Sequence, residues 1–346
     1  MTKDKIIPIQ LIGTQRSGSN LLRLMLNQLT EITAPHPPHI LKTFVPLMDR
    51  YGDLSINVNF QNLINDVCKF VELNPVKWND LSLDRDLIFD QLQHSRNIYS
   101  LFEHIYARYA SSKGSRFWCC KSLTNVHFAE ELHSHGIKPY YIHLYRDGRD
   151  VALSFKKIMV GEKHTYHQAK SWKRDQDQAL AIGEKLGSER VIRVAYEDLI
   201  TNPEAQLSRI CAFLQIQFKP QALDYFLSRD SQETALSGKM WQNVTKPVLR
   251  GNMCKYLKEL PREDVLIFEA VAGTTLDRLG YPLHYGDTAR AVTFSEVDLI
   301  NFDRENEFLK KRAVEHSDPL DRAKRMPQEQ LLSRIKLAFE PVPLTD

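Results

Sequence analysis

The sequence predicts an α/β protein with a mostly parallel sheet flanked by helices, and two observations carry that expectation. Short, wholly apolar segments alternate with stretches of helical periodicity, the pattern of βαβ units and not of a sandwich. The first of those segments also runs through a glycine-bearing turn into a helix, as phosphate-holding loops do.

Ile9 to Ile12 form the first strand, and Leu21, Leu22, Met25, Leu26 and Leu29 set the helical period that follows. Between them lies Gly13-Thr14-Gln15-Arg16-Ser17-Gly18-Ser19-Asn20. Its glycines have the spacing of GxxxxGK[ST], but Ser19 and Asn20 stand where the triphosphate lysine and the Mg²⁺-binding hydroxyl belong. Arg16 becomes the cation of the loop, which therefore suits a terminal anion without requiring a metal. A turn that binds nothing is the bland alternative.

Three further strands are expected at Phe117 to Cys120, Tyr140 to Tyr145 and Val191 to Ala195. They end at Lys121, Arg146 and Tyr196, and open parallel sheets bind ligands beyond those carboxyl ends. Helical periodicity fills the intervals, at Leu87, Phe89 and Leu92, then Ile98, Leu101 and Ile105. It returns at Val151, Leu153, Phe155 and Ile158, and at Leu207, Ile210, Phe213 and Leu214.

Residues 33–114 are too many for a plain connection and predict a helical insertion beside the site. The insertion opens with the stiff Ala34-Pro35-His36-Pro37-Pro38-His39 and carries Phe44, Phe60, Phe70, Trp78, Phe89 and Tyr99, which suit either an acceptor pocket or a helical core. The main domain is expected over 1–285, followed by a charged C-terminal helical extension over 286–346 with a flexible Pro341-Val342-Pro343 tail.

Composition sets outer bounds. With 42% hydrophobic residues, 26% charged residues and a net charge of +3, the chain is an ordinary globular protein with no case for nucleic acid. No run approaches the roughly 18 apolar residues of a spanning helix, and the polar Met1 to Lys5 suggests no signal peptide. The cysteines Cys68, Cys119, Cys120, Cys211 and Cys254 lack metal-ligand spacing, which points to buried thiols in a reducing cytoplasm.

A second anion pattern lies at His143-Leu144-Tyr145-Arg146-Asp147-Gly148-Arg149-Asp150-Val151-Ala152-Leu153-Ser154-Phe155. Arg146 leaves a strand, and Ser154 follows about two helical turns later, so a guanidinium fork and a hydroxyl can grip one phosphate. A solvated helix start with local ion pairs is the alternative.

Together the two segments resemble the paired signatures of sulfotransferases that use 3′-phosphoadenosine 5′-phosphosulfate (PAPS). There an RSGS-type loop holds the 5′-phosphosulfate and an RDxRxVxxS segment holds the 3′-phosphate. The resemblance runs over about residues 7–283 and implies a P-loop-like fold, with PAPS as co-substrate and no metal. Lys121-Ser122-Leu123-Thr124-Asn125 is similar to the family's KTP-type segment, and Tyr196-Glu197-Asp198-Leu199 to its YEDL element, whose tyrosine lies near the adenine. Trp241 to Tyr256 is similar to the part where a basic loop closes over the cofactor, with Arg250 and Lys246 in place of the usual RKG spelling.

The resemblance implies cofactor contacts from Thr14, Gln15, Arg16, Ser17, Gly18, Ser19, Asn20, Arg146, Ser154, Tyr196 and Arg250. Sulfuryl transfer builds negative charge on the bridging oxygen, so Arg16 and Lys121 are expected at the leaving phosphate. A general base must take the acceptor's proton, and related enzymes often place a glutamate where this chain offers only His36 and His39. His36, closer to that offset from Arg16, is slightly favoured. The acceptor can be a small molecule, lipid, glycan or peptide. A P-loop kinase or NTPase and a silent nucleotide-binding scaffold are the competing functions.

Overall fold

The computed structural model describes residues 6–337. Among them, the strands β1 (Ile7–Gly13), β2 (Ile32–Thr33), β3 (Phe117–Cys120), β4 (Tyr140–Tyr145) and β5 (Val191–Ala195) form one sheet in the order β2-β3-β1-β4-β5. Every neighbouring pair is parallel, so every carboxyl end points the same way. Ile9, Leu11, Ile12, Cys119, Ile142 and Leu144 are fully buried, as strands covered by helices on both faces require. The mostly parallel, helix-flanked α/β fold is as expected, with β2 as an additional short edge strand.

The helix α1 (Ser19–Leu26) follows the glycine loop. The insertion supplies α2 (Ile40–Phe44), α3 (Asn57–Glu72), α4 (Arg85–Gln91) and α5 (Ile98–Ser112). Next come α6 (Ala129–Ser134), α7 (Gly148–Lys156), α8 (Thr165–Leu186), α9 (Tyr196–Thr201) and α10 (Pro203–Phe213). The remainder is α11 (Arg229–Leu236), α12 (Tyr256–Glu259), α13 (Arg262–Arg278), α14 (Gly286–Arg290), α15 (Glu296–Glu315) and α16 (Pro319–Leu337).

Apolar packing explains why these helices sit where they do. Leu22, Met25 and Leu26 of α1 join Leu207 and Ile210 of α10 against Ile9, Leu11 and Ile142 on one face of the sheet. Ala179 and Ile182 of α8 cover Ile12 and Tyr141. Trp172 of α8 meets Phe268 of α13 edge-on at 5.6 Å, and a Cβ on Gly148 would lie 2.3 Å from that phenyl ring. Only glycine lets α7 start so close to α13.

Phe44, Phe60, Phe70 and Trp78 of the insertion are all buried in its own apolar cluster. The aromatic residues thus serve largely as core. Leu331 and Ile335 of α16 enter the same cluster, so this part of the C-terminal extension is packed and not merely solvated. Met1 to Lys5 and the Pro341-Val342-Pro343 tail lie outside the described residues. Cys68, Cys119, Cys120 and Cys211 are buried free thiols, whereas Cys254 is exposed. No helix among the described residues is long and apolar enough to cross a membrane.

Ile335 is 2% exposed, so Ile335→Ala is expected to cost about 2–5 kcal/mol of stability in urea unfolding. A loss below about 0.5 kcal/mol would show α16 to be energetically separate from the core.

Candidate active site

The end of β1 turns sharply because Gly13 has φ 131°, and a Cβ there would lie 2.2 Å from the Leu144 carbonyl oxygen. The loop then presses on Tyr196 at the start of α9, where a Cβ on Gly18 would fall 2.4 Å from the phenol ring. Arg16, between the glycines, is left-handed at φ 73°, a conformation that costs a non-glycine residue about 1–2 kcal/mol. Its side chain compensates by crossing to α7, where Nε donates to Ser154 Oγ at 3.0 Å.

Arg146 closes the circle from the end of β4. Its Nη1 donates to the Arg16 carbonyl at 3.1 Å and its Nη2 to the Asn252 carbonyl at 2.9 Å. The guanidinium lies 4.4 Å over the Tyr196 ring, whose hydroxyl accepts from Asn252 Nδ2 at 2.7 Å. These groups border a cleft of about 150 Å³, with Arg16, Gly18, Ser19 and Asn20 on one side. Tyr225, Met240, Trp241, Val244 and Val248 give the opposite side an apolar, aromatic surface.

The cleft is strongly cationic. Lys121, just beyond β3, donates from Nζ to Asn20 Oδ1 at 2.8 Å. Burial, then Arg23 and Arg16, pull its ammonium down to about 7. Burial and Arg146 lower the Arg16 guanidinium to about 10. Arg146 has a carboxylate, Asp150, at 3.5 Å, but that acid also accepts from the Tyr256 N–H. Arg146 Nε and Ser17 Oγ are buried without a partner among the described residues. Buried donors facing several cations are the complement of a polyanion.

Acidic residues nearby are otherwise engaged. Asp147 caps α7 by accepting from the Arg149 N–H at 2.9 Å and pairs with the Arg149 side chain at 2.7 Å, so it stabilises the helix start. Arg149 also holds Glu269 at 2.6 Å, which makes it a structural ion pair and not a ligand. Among the described residues, no group of three His, Cys, Asp or Glu side chains lies close enough to hold a metal ion.

Two side chains of α1 build the histidine segment. Arg23 Nη1 donates to the Ala34 carbonyl at 2.9 Å, and Asn27 Oδ1 accepts from the Ala34 N–H at 2.7 Å. Asp230 of α11 clamps both, at 2.7 Å from Arg23 and 2.9 Å from Asn27. The His36 carbonyl accepts from Trp78 Nε1 at 2.7 Å and from Asn74 Nδ2 at 3.0 Å. The main chain of this segment is thus fixed from both sides.

His36 is buried, and neither ring nitrogen has a hydrogen-bond partner among the described residues. Trp241 meets its ring edge-on at 5.0 Å. Burial, Lys121 and Arg23 hold this imidazole well below the usual histidine range. His39, left-handed at φ 63° before α2, places Nδ1 2.9 Å from Ser122 Oγ. Burial and Lys121 bring it down to about 3, so both rings stay neutral at pH 7.

Arg16, Gly18, Ser19, Asn20, Arg146 and Tyr196 therefore border one cleft, and Lys121 and Ser154 join them through their hydrogen bonds with Asn20 and Arg16. Thr14 instead turns into the protein, its Oγ1 accepting from Gln176 Nε2 at 3.1 Å, and Gln15 is half-buried in the turn. Arg250 is exposed and does not border the cleft, where Leu249 and Asn252 do. His143 is packed, with Nε2 2.6 Å from Gln176 Oε1. Sequence reasoning passed over Arg23, Asn252 and Asp230, although an arginine inside the apolar run Leu21 to Leu26 was a visible signal for the first.

A family model described as the sulfotransferase family matches residues 8–220. A protein-tyrosine sulfotransferase A of Caenorhabditis elegans is 28% identical over 158 residues, 42% of this chain and 41% of that relative, so the match spans less than half of the relative's length. Two solved sulfotransferase domains share the fold. That of the Synechococcus PCC 7002 olefin synthase has a TM-score of 0.56 at 20% identity, covering 82% of this chain and 98% of its own. That of the curacin biosynthetic pathway has a TM-score of 0.53 at 21% identity, covering 80% and 98%.

Asp230→Ala leaves the buried Arg23 guanidinium without its counter-ion and is expected to cost about 3 kcal/mol in chemical denaturation. A change within about 0.5 kcal/mol would remove Asp230 from the support of the histidine segment.

Proposed function

The chain belongs to the sulfotransferase family, and from that premise we propose that it moves a sulfuryl group in line from PAPS to a hydroxyl or amine of its acceptor, with His36 taking the proton. One observation carries the proposal. Arg16 and Arg146, the latter with a buried unpartnered Nε, meet at two neighbouring strand ends and border a single cleft.

The residues divide the donor between them. The loop N–H groups, Arg16 and Lys121 hold the 5′-phosphosulfate end, and Arg146 with Ser154 takes the 3′-phosphate. Ser154 Oγ accepts from Arg16, which leaves its own O–H to donate. The aromatic and apolar wall of the cleft, with Tyr196, supplies a surface for the adenine.

In the transfer, the S–O bond to the phosphate breaks as a new bond forms from sulfur to the acceptor atom. Lys121 hydrogen-bonds the departing bridging oxygen, where charge accumulates. The acceptor's proton passes to a neutral imidazole. His36 is the preferred base because a buried ring with two unpartnered nitrogens is costly and is explained by a transient partner. His39, whose Nδ1 is engaged by Ser122, is the alternative.

The tyrosine-modifying relative favours a phenolic hydroxyl on a peptide or small molecule among the acceptors, ahead of lipid or glycan. We also place the protein in the cytoplasm, in keeping with its buried free thiols.

Purified protein with sulfate-labelled PAPS is expected to label at least one acceptor in a panel of phenols, tyrosine peptides, alcohols, glycans and amines. Lys121→Ala should lower turnover about 10²- to 10³-fold. His36→Ala should do so more than His39→Ala with donor binding unchanged. Tight binding of Mg²⁺-ATP, and none of adenosine 3′,5′-bisphosphate, would overturn the assignment in favour of a kinase. Bisphosphate binding without transfer to any acceptor would leave a silent scaffold.

Bisphosphate binding also carries a pH signature. Lys121 loses its proton as pH rises through about 7 in the donor-free protein, so affinity should fall between pH 7 and 8.5. Calorimetry on Lys121→Gln should show weaker binding with that fall removed; an unchanged slope would take Lys121 out of the anion site.

A further inference from the structure

The C-terminal helix α16 lies beyond the residues matched by the family model, yet it is bolted onto the wall of the site. Its Asp321 Oδ2 accepts from the Lys239 N–H at 3.1 Å, and Asp318 pairs with the Lys239 ammonium at 3.0 Å. Lys324 donates to the Leu236 carbonyl, and Gln328 Nε2 to the Phe70 carbonyl at 2.8 Å. Leu331 and Ile335 sink the following turns into the apolar core. One helix, with Pro327 in its interior, thereby contacts both the segment that carries Trp241 and the insertion that carries the histidines.

Arg325 projects from this helix in the middle of those anchors. Its guanidinium carbon lies 5.8 Å from the centre of the Trp241 ring, and Trp241 in turn packs edge-on against His36 at 5.0 Å. Arg325 Nε is buried and has no hydrogen-bond partner among the described residues. An arginine over an indole face is held by the ring quadrupole, and the attraction grows as both groups lose water. Trp241 also borders the donor cleft, so the indole stands at the boundary between that cleft and the imidazole.

We propose that Arg325 is a positioning residue that fixes Trp241 against His36 and so sets the orientation of the imidazole. The inference rests on the assignment of His36 as the base. The ring has no hydrogen bond to fix it, unlike His39, so its contact with Trp241 is what orients it. Arg325 contributes the stack and the charge beside it, while α16 contributes the anchors on either side. The C-terminal extension then completes the transfer site although it supplies no group to the donor.

The test uses the full chain with ¹⁵N-labelled histidine and adenosine 3′,5′-bisphosphate bound. His36→Ala assigns the His36 ring signals, and Trp241→Ala defines their position without the indole. In Arg325→Met, at saturating bisphosphate, the His36 signals are expected to move toward the Trp241→Ala position. Arg325→Lys keeps the cation and should restore the wild-type signals.

His36 signals unchanged in Arg325→Met would overturn the proposal. So would a lysine variant that behaves like the methionine variant, since packing alone would then account for the change. If Arg325→Met fails to fold, Arg325→Lys and Arg325→Gln carry the comparison, with only the glutamine variant expected to shift the His36 signals. Turnover of His36→Ala tests the base separately: a loss there with unmoved signals in Arg325→Met would keep His36 as base and remove Arg325 from its support.

Discussion

Everything at this site depends on holding positive charge beyond the carboxyl ends of parallel strands with too few carboxylates to neutralise it. Arg16 and Lys121 are drawn below their ordinary values by burial and by other cations, which measures the cost of bringing them together. Folding tolerates that cost because the sheet is stabilised elsewhere, by apolar clusters on both faces and around the insertion. The acids that are present are spent on structure, Asp147 and Glu269 on Arg149, and Asp230 on Arg23. Electrostatic preorganisation of this kind is what a transition state rich in negative charge requires.

The parallel topology does the rest of the assembly. Since β1, β3, β4 and β5 all run the same way, four chain segments widely separated in sequence deliver Arg16, Lys121, Arg146 and Tyr196 to one edge of the sheet. Glycine sets how closely they meet. At Gly13 and Gly18 the neighbouring carbonyl and phenol ring occupy the space a side chain would need. The loop is therefore pressed into its shape from outside, which keeps Arg16 in its left-handed conformation.

The strands and the residues at their ends were legible because apolar runs and cations at their termini are local features of the sequence. The strands at Phe117 to Cys120, Tyr140 to Tyr145 and Val191 to Ala195 match the expected segments. The edge strand Ile32–Thr33 was not legible, since two residues carry no periodicity. Thr14 lies within the loop motif yet faces Gln176, because side-chain direction in a turn is not a property of spacing. Arg23, Asp230 and Asn252 escaped notice for a related reason. Their roles come from contacts such as Arg23 with Asp230, 207 positions apart, that no short window contains. The charge density of α15 and α16 read as solvation, but the few apolar residues at Leu331 and Ile335 decide where α16 packs.

The hydrogen bond from Arg16 to Ser154 ties the glycine loop and helix α7 into one unit, 138 positions apart in the chain and 3.0 Å apart in space. On the proposed function, a donor with anionic groups at both ends of a nucleoside would meet both parts of that unit. The loop and α7 would then act as a ruler, selecting a donor by the distance between its two anionic groups.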